Sequence, residues 1–470
     1  MTGPWWSAQR IEQAAARCQR GKLRRPETIA FRMRHGEEVL ALSQRLAAGT
    51  YRPGPGLLLA TNQPKPREIH AAAYRDRVVH HLLHHLIEPR FEPGFIADSY
   101  ACRRGKGTHA AALGLQSQMR CASRQGGRRV FALQMDICNY FASIHKNTLL
   151  ALLAKGFSAQ ERAAPASQDG VPALWALLRT IVLHDPVACA QRRGAAADFA
   201  RVPPHKRLGA LGPERGQAIG NLTSQFFANV YLNALDQFVK RTLGVRHYVR
   251  YVDDFVLLDC SAAKLRGYEA RIRAFLAAQL HLEAHPVPTL RIIGQTGVDF
   301  VGYIIRPDYL LPRRRVVRHM AARLTTAEAA LRAQPLPAGQ NLWLGPRVGH
   351  VRLSNPARWI VADEQRIERL RATWASYDGH LLKADATRLR ARLWAARPAS
   401  SALLIRRKSR VMRRFPLATP TRNYGEQVRR LRQGIGGAVL LVQVGAFIEC
   451  TTRRDAVCLQ LPWFQARKGR

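Results

Sequence analysis

Acidic residues are scarce in this chain: 32 Asp and Glu stand against 74 Lys and Arg, a formal net charge of +42 over 470 residues. A solvated surface accounts for a modest excess of one sign, but not for an excess this large and spread from end to end. It implies a polyanionic partner, nucleic acid rather than a membrane surface. Arg dominates the excess, and its planar fork suits phosphate. Long apolar runs are also missing. No stretch reaches the roughly 18–20 apolar residues needed to span a bilayer. The longest, Ala438 to Ile448, is broken by Gln443 and Gly445 and reads as a buried strand. The start, Met1-Thr-Gly-Pro-Trp-Trp6, lacks the basic and apolar regions of a signal peptide. Eight scattered cysteines, none in a C-x-x-C pair, argue against a zinc site or a disulfide framework. They read as reduced thiols, and the expected location is cytoplasmic, with no membrane partner.

The length allows two or more domains, each with its own core. Residues 7–50 have the spacing of helices, with Val39, Leu40, Leu42 and Leu46 among many charges. A Pro/Gly connector over 50–56 leads to a β-like Leu57–Ala60 and a basic segment, Lys65-Pro-Arg-Glu-Ile-His70. A helix is expected over 74–90. Its His80, His81, His84 and His85 share faces in pairs, but no acidic or Cys ligand completes a metal site, so they are expected to face solvent or nucleic acid. Residues 157–210 predict a helix followed by a mobile insertion at about 190–210. Helices are expected from Gly220, over 262–280, over 313–333 and over 357–395. A strand pair is expected over 297–305, a basic connector over 402–416, and a strand-like tail over 424–470.

The stretch that carries most chemistry is Tyr248-Val-Arg-Tyr-Val-Asp-Asp-Phe-Val-Leu-Leu258. It predicts two short strands meeting at a tight turn that bears Asp253 and Asp254. Alone, an Asp pair in a turn is ordinary. Held side by side, however, the two carboxylates repel each other, and a divalent metal relieves that repulsion. Upstream, the apolar strand Phe131-Ala-Leu-Gln-Met-Asp-Ile137 ends in Asp136. A third carboxylate beside the first two gives a site for two Mg²⁺ ions, with Mn²⁺ as a substitute, and for in-line phosphoryl transfer. The backbone carbonyl of Ile137 is a further candidate ligand.

These residues resemble a reverse transcriptase from about residue 10 to about residue 395. Tyr251-Val-Asp-Asp254 is similar to the family's Tyr-x-Asp-Asp, and Asp136-Ile-Cys-Asn-Tyr-Phe141 to its first metal-binding motif. Ser99-Tyr-Ala-Cys-Arg-Arg-Gly-Lys-Gly-Thr108 and Phe300-Val-Gly-Tyr303 match two further segments, and four motifs in order are specific where Asp-Asp alone is not. Ile219-Gly-Asn-Leu-Thr-Ser-Gln225, with Arg75-Asp-Arg-Val-Val-His80, resembles the reverse transcriptases of diversity-generating retroelements rather than those of group II introns. In the latter a Gln stands where Ile219 stands and a Pro where Gln225 stands. The resemblance implies an α+β right-hand polymerase fold. An N-terminal helical extension over 1–60 would precede fingers and palm over 61–310. A helical basic thumb over 311–400, a linker over 401–423 and a small segment over 424–470 would follow. It also implies cDNA synthesis, with errors at template adenines, from a template-repeat RNA, using a primer and dNTPs beside a small basic accessory protein.

Carried onto this sequence, the resemblance makes Asp136, Asp253 and Asp254 the metal ligands. It makes Phe141 the aromatic gate that excludes a ribose 2′-hydroxyl, and Lys65 and Arg67 the partners of the triphosphate. Ile219 and Gln225 fall near the nascent base pair. Arg75, Arg77, Arg103, Arg104, Lys106 and Tyr251 are the expected nucleic-acid contacts. Pro288 stands about where the family carries a Lys, which leaves the general acid open between His285 and Arg291. The tail, with Tyr424, Gln427, Phe447, Glu449 and Asp455, partly resembles the start of the MutS mismatch-recognition domain. There Phe447 and Glu449 would form a mismatch wedge, the alternative being a buried strand in a docking element. A group II-like or phage-defence reverse transcriptase and a non-catalytic RNA-binding protein on a polymerase fold are the competing readings. The intact Asp136, Asp253 and Asp254 argue against the last.

Overall fold

The computed structural model describes residues 4–330, 341–343, 350–352, 364–413, 441–444 and 447–450, apart from short gaps at 24, 63–64, 164–166, 169–170, 189 and 408–409. Contacts divide the chain into two compact units, residues 1–301 with 306–308, and 302–305 with 309–470. Helices and antiparallel sheets mix in both, so the α+β expectation holds at that level. Among the described residues no helix is long and apolar enough to cross a membrane.

The first unit is organised around a four-stranded sheet. Its strands are His247–Tyr251, Asp254–Asp259, Phe131–Met135 and Thr289–Ile292, in that spatial order, every pairing antiparallel. Register explains its two faces. Leu133 pairs with Leu257, Met135 with Phe255 and Tyr248 with Leu257, so these side chains share one face. All five belong to the main core. The core is completed by the helices Leu222–Gln237, Tyr74–Phe91 and Ala262–Leu280, the last begun by Ser261, whose hydroxyl accepts from Lys264 N. The opposite face carries Ala132, Gln134, Val256 and Leu258, and by alternation the acidic strand ends open onto that side.

The helices Ala8–Cys18, Pro26–Met33 and His35–Ala47 bury Ile11, Phe31 and Leu42 in this same core. The expected N-terminal extension is thus built into the unit. Within residues 190–210, expected to be a mobile insertion, Gln191–Arg193 forms a strand. That strand runs parallel to Leu57–Thr61, whose other edge pairs with Arg67–Ala71. Backbone pairing decides here, because the exposed Gln-Arg-Arg strand carries no apolar pattern to announce it.

The histidine row is corrected in part: His85 is exposed as expected, but the others are not. His80 is buried, and its Nδ1 lies 2.6 Å from Thr223 Oγ1; His84 packs edge-on against Phe226. Burial, helped by His184, His81 and His70, drives the His80 pKa from 6.5 down to about 3. A histidine whose folded pKa is depressed loses stability as pH falls, because the unfolded chain takes up a proton that the folded one excludes. From about pH 6.5 downward the first unit should weaken, by about 2 kcal/mol at pH 5 from this residue alone. Urea midpoints measured from neutral to acid pH should fall for the wild type and stay flatter for His80→Gln; equal slopes would refute the assignment.

In the second unit, Tyr303–Ile305 pairs with Leu310–Pro312, and the helices Arg314–Ala329, Glu364–Leu381 and Thr387–Ala395 pack around Met320, Leu324, Leu370 and Trp374. Buried Glu328 accepts from both the backbone N and the hydroxyl of Ser400, while Trp374 Nε1 donates to that hydroxyl at 2.7 Å. Residues 402–416, read as a connector, contain a hairpin, Leu404–Arg407 with Arg410–Arg413. Leu404 and Val411 enter the core, so the Arg-rich composition conceals an anchored element. In the tail, Leu441–Val444 pairs with Phe447–Cys450. The side chains of Phe447 and Glu449 and most of 424–470 lie outside the described residues.

Candidate active site

Asp253 sits on a two-residue turn. Tyr251 pairs with Asp254, leaving Val252 and Asp253 as the loop. Val252 has φ +57°, a left-handed conformation that a β-branched side chain rarely adopts. Two-residue hairpins call for positive φ at this position and usually supply it with Gly or Asn, so the turn holds backbone strain. Asp136 follows the adjoining strand Phe131–Met135. Its carboxylate accepts from Ile137 N at 3.1 Å, and its carbonyl accepts from His285 N at 2.8 Å.

The two carboxyls sense each other. Burial, then the charge of Asp136, raises the Asp253 pKa from 3.8 to about 6, with Arg67 and Arg250 pulling the other way. Burial raises Asp136 as well, opposed by the Ile137 N–H, Lys65, His285 and Arg67. Lys65 and Arg67, both exposed on the basic strand segment, therefore bear on the acidic pair from across the fold. Asp254 is engaged elsewhere. Gln134 Nε2 donates to its two carboxylate oxygens at 3.0 and 3.3 Å, and to the Asp299 carbonyl at 3.0 Å.

Among the described residues no group of three His, Cys, Asp or Glu side chains is placed to hold a metal ion. Of the three expected ligands, Asp253 feels the charge of Asp136, and Asp254, next to it in the chain, accepts from the Gln134 amide. The pair nonetheless suits a divalent cation: both groups offer hard oxygens, desolvation raises both pKa values, and for Asp253 the neighbouring charge of Asp136 raises it further. A bound Mg²⁺ or Mn²⁺ would remove that penalty, and the Ile137 carbonyl is the adjacent backbone donor.

Phe141 lies in the short helix Tyr140–Ser143 beside Asp136, half-buried, with its ring edge-on to Tyr140 at 5.5 Å. Its carbonyl accepts from Gln217 N at 2.8 Å, which brings in the loop ahead of the helix Leu222–Gln237. Ile219 on that loop accepts through its carbonyl from His70 N at 2.9 Å. Gly220, at φ +123°, passes so near the His70 carbonyl that a Cβ would stand 2.8 Å from it, so glycine is needed here. Ile219 and Ala142 line a cavity of about 20 Å³, room for one water, with Glu68, His70, Lys206 and Gln217. Ile219 thus reaches the neighbourhood of Phe141, while Gln225 is exposed on the first turns of its helix.

Several expected nucleic-acid contacts also have partners within the protein. Arg75 donates twice to Glu38, at 2.6 and 2.7 Å, and Arg77 meets Glu27 at 3.3 Å. Arg103 binds Glu92 and the carbonyls of Ile96 and Ser99, with its side chain only 8% exposed. Each of these forks is used within the protein, since carboxylates on neighbouring segments stand within reach. Lys106 donates to the Ala97 carbonyl and lies over the Tyr100 ring. Arg104 remains exposed, and half-buried Tyr251 closes the turn.

Sequence reading missed the residues beneath the turn. Arg250, buried in the strand before it, makes a two-pronged ion pair with buried Asp236 on the helix Leu222–Gln237, at 2.7 and 2.6 Å. The signal was present: a charge inside an otherwise apolar strand needs a partner. Gln134 and Gln217 were equally unmarked.

No family model and no curated protein matches the chain by sequence. Solved structures with a similar backbone include telomerase from Candida albicans in complex with the TWJ fragment of telomeric RNA. Identity is 11% over 74% of this chain and 57% of that one, with a TM-score of 0.39. Apo telomerase from Candida tropicalis matches at 10% identity, over 73% of this chain and 60% of that one, at 0.40. The chain thus spans little more than half the length of these structures. A likeness of this degree carries no function from one chain to the other.

Proposed function

We propose that the chain is an RNA-directed DNA polymerase that makes error-prone cDNA, of the kind used by diversity-generating retroelements. The observation that carries the polymerase reading is the coupling of Asp253, half-buried in the turn, to Asp136 at the adjoining strand end, with the charges of Lys65 and Arg67 acting on them and Phe141 five residues on. On this reading the first unit holds fingers and palm and the second the thumb. Mg²⁺, when bound, would lower the pKa of a primer hydroxyl and neutralise charge developing on a triphosphate. Asp136 and Asp253 hold the charge that keeps it there. Lys65 and Arg67 meet the phosphates of the incoming dNTP, and the Phe141 ring crowds the 2′ position of its sugar.

The error-prone part rests on Ile219. Its apolar side chain, lining a cavity with Ala142 and Gln217, offers no hydrogen bond to a nascent base pair, whereas a Gln there would. A wrong pair is rejected through the cost of its misaligned geometry, and losing about 1.4 kcal/mol of that cost raises misincorporation about tenfold. Deep sequencing of cDNA from a defined RNA template decides the matter. Errors should concentrate opposite template adenine in the wild type and fall about tenfold in Ile219→Gln. Errors spread evenly over the four bases would remove the retroelement reading and leave a generic reverse transcriptase.

A further inference from the structure

The ion pair beneath the turn is ringed by further hydrogen bonds. Arg250 is 1% exposed and Asp236 fully buried. Besides its two bonds to Asp236, the guanidinium donates from Nη2 to Ser99 Oγ at 3.0 Å and from Nη1 to the Val252 carbonyl at 2.9 Å. The Tyr248 hydroxyl adds a bond to Asp236 at 2.9 Å. Backbone bonds fix the same point from outside: Arg250 N donates to the Asp98 carbonyl, and Tyr100 N to the Arg250 carbonyl, each at 3.0 Å.

We propose that Arg250, locked by Asp236 and Ser99, is a positioning residue that holds the strained Val252–Asp253 turn by its carbonyl and so aims the Asp253 carboxylate at Asp136. The inference deepens the polymerase reading and rests on it. Three observations converge. Val252 occupies a backbone conformation its side chain disfavours, so something outside the turn must hold it. The group that touches its carbonyl is a rigid fork whose other prongs are anchored in a helix and a loop from distant parts of the sequence. A buried ion pair is moreover a poor way to gain stability alone, since apolar replacements of similar volume are often neutral or better. Burial acts to lower the Arg250 pKa, but Asp236 more than offsets it, and the guanidinium stays charged. Its charge also favours the ionised form of Asp253. The Ser99–Thr108 loop acquires a role too. Ser99 supports the turn from behind, which explains that motif better than phosphate binding through Arg103.

The test uses the full chain and separates positioning from folding. Arg250→Met alone leaves Asp236 buried without its partner and can unfold the protein, so the decisive variant is Arg250→Met with Asp236→Leu. Expected is a thermal midpoint close to wild type, together with a Mg²⁺ midpoint for primer extension raised about tenfold or more and a lowered kcat at saturating dNTP. Arg250→Lys, which keeps charge but loses the fork, should fall between. A folded double variant with wild-type Mg²⁺ dependence and rate would overturn the proposal. Should the wild type itself extend no primer under any divalent ion, the polymerase reading falls. Mn²⁺ binding, followed through the spin-resonance signal of the free ion, then decides the positioning role. Weaker binding in the double variant supports it, and equal or undetectable binding in both proteins overturns it.

Discussion

Asp253→Asn should lower templated DNA synthesis by roughly three orders of magnitude, equivalent to about 4 kcal/mol of barrier, while RNA affinity stays unchanged. An amide is nearly isosteric with the carboxylate, so the half-buried turn keeps its shape and its bond from Arg250 to the Val252 carbonyl. What disappears is charge. Asp136 alone cannot offset the cost of drying a divalent cation, whereas the pair can. RNA binding depends instead on cations spread over the whole chain, so it responds to salt and not to this substitution. Primer extension on an RNA template, with binding measured in parallel, gives both numbers. Full activity in the variant would dissolve the site. Joint loss of activity and binding would point to misfolding rather than chemistry.

The second large effect is on sugar selection. Phe141→Ala should raise the use of ribonucleotides relative to deoxynucleotides by on the order of a hundredfold, because an exclusion set by ring contact vanishes when the ring goes. The position suits that role: the ring is half-buried, braced by Tyr140, and its carbonyl is tied to Gln217, so the backbone stays in place after truncation. Competition between each dNTP and its ribonucleotide on one template measures the ratio directly. An unchanged ratio with normal extension would make Phe141 a packing residue only.

The sequence showed the hairpin at Tyr251–Asp254, the strand ending at Asp136 and most helices, because period and turn chemistry are local. It also singled out Phe141 and Ile219 through short motifs, and the fold ties Phe141 to the loop Gly216–Gly220 through Gln217 N. It did not show which cations are spent inside the protein. Arg75, Arg77 and Arg103 look like phosphate ligands until Glu38, Glu27 and Glu92 are seen beside them. Nor did it show Gln134 holding Asp254, a contact between residues 120 positions apart in sequence. The strand Gln191–Arg193 and the hairpin from Leu404 to Arg413 were hidden for a related reason. Both are decided by backbone partners, and their charged composition suggests loops.

The order of strands in the central sheet also bears on how the chain is made. Phe131–Met135 has one neighbour in Asp254–Asp259 and the other in Thr289–Ile292, so both edges stay open until more than a hundred further residues have been synthesised. The same delay affects Leu57–Thr61, whose parallel neighbour begins at Gln191. Pairing at such separations is slow, because the intervening loop must close before any contact rewards it. During that interval two apolar strands expose unpaired backbone, the condition under which nascent chains associate wrongly. A formal net charge of +42 then acts at this stage too: mutual repulsion between unfinished copies opposes their association until the sheet is closed.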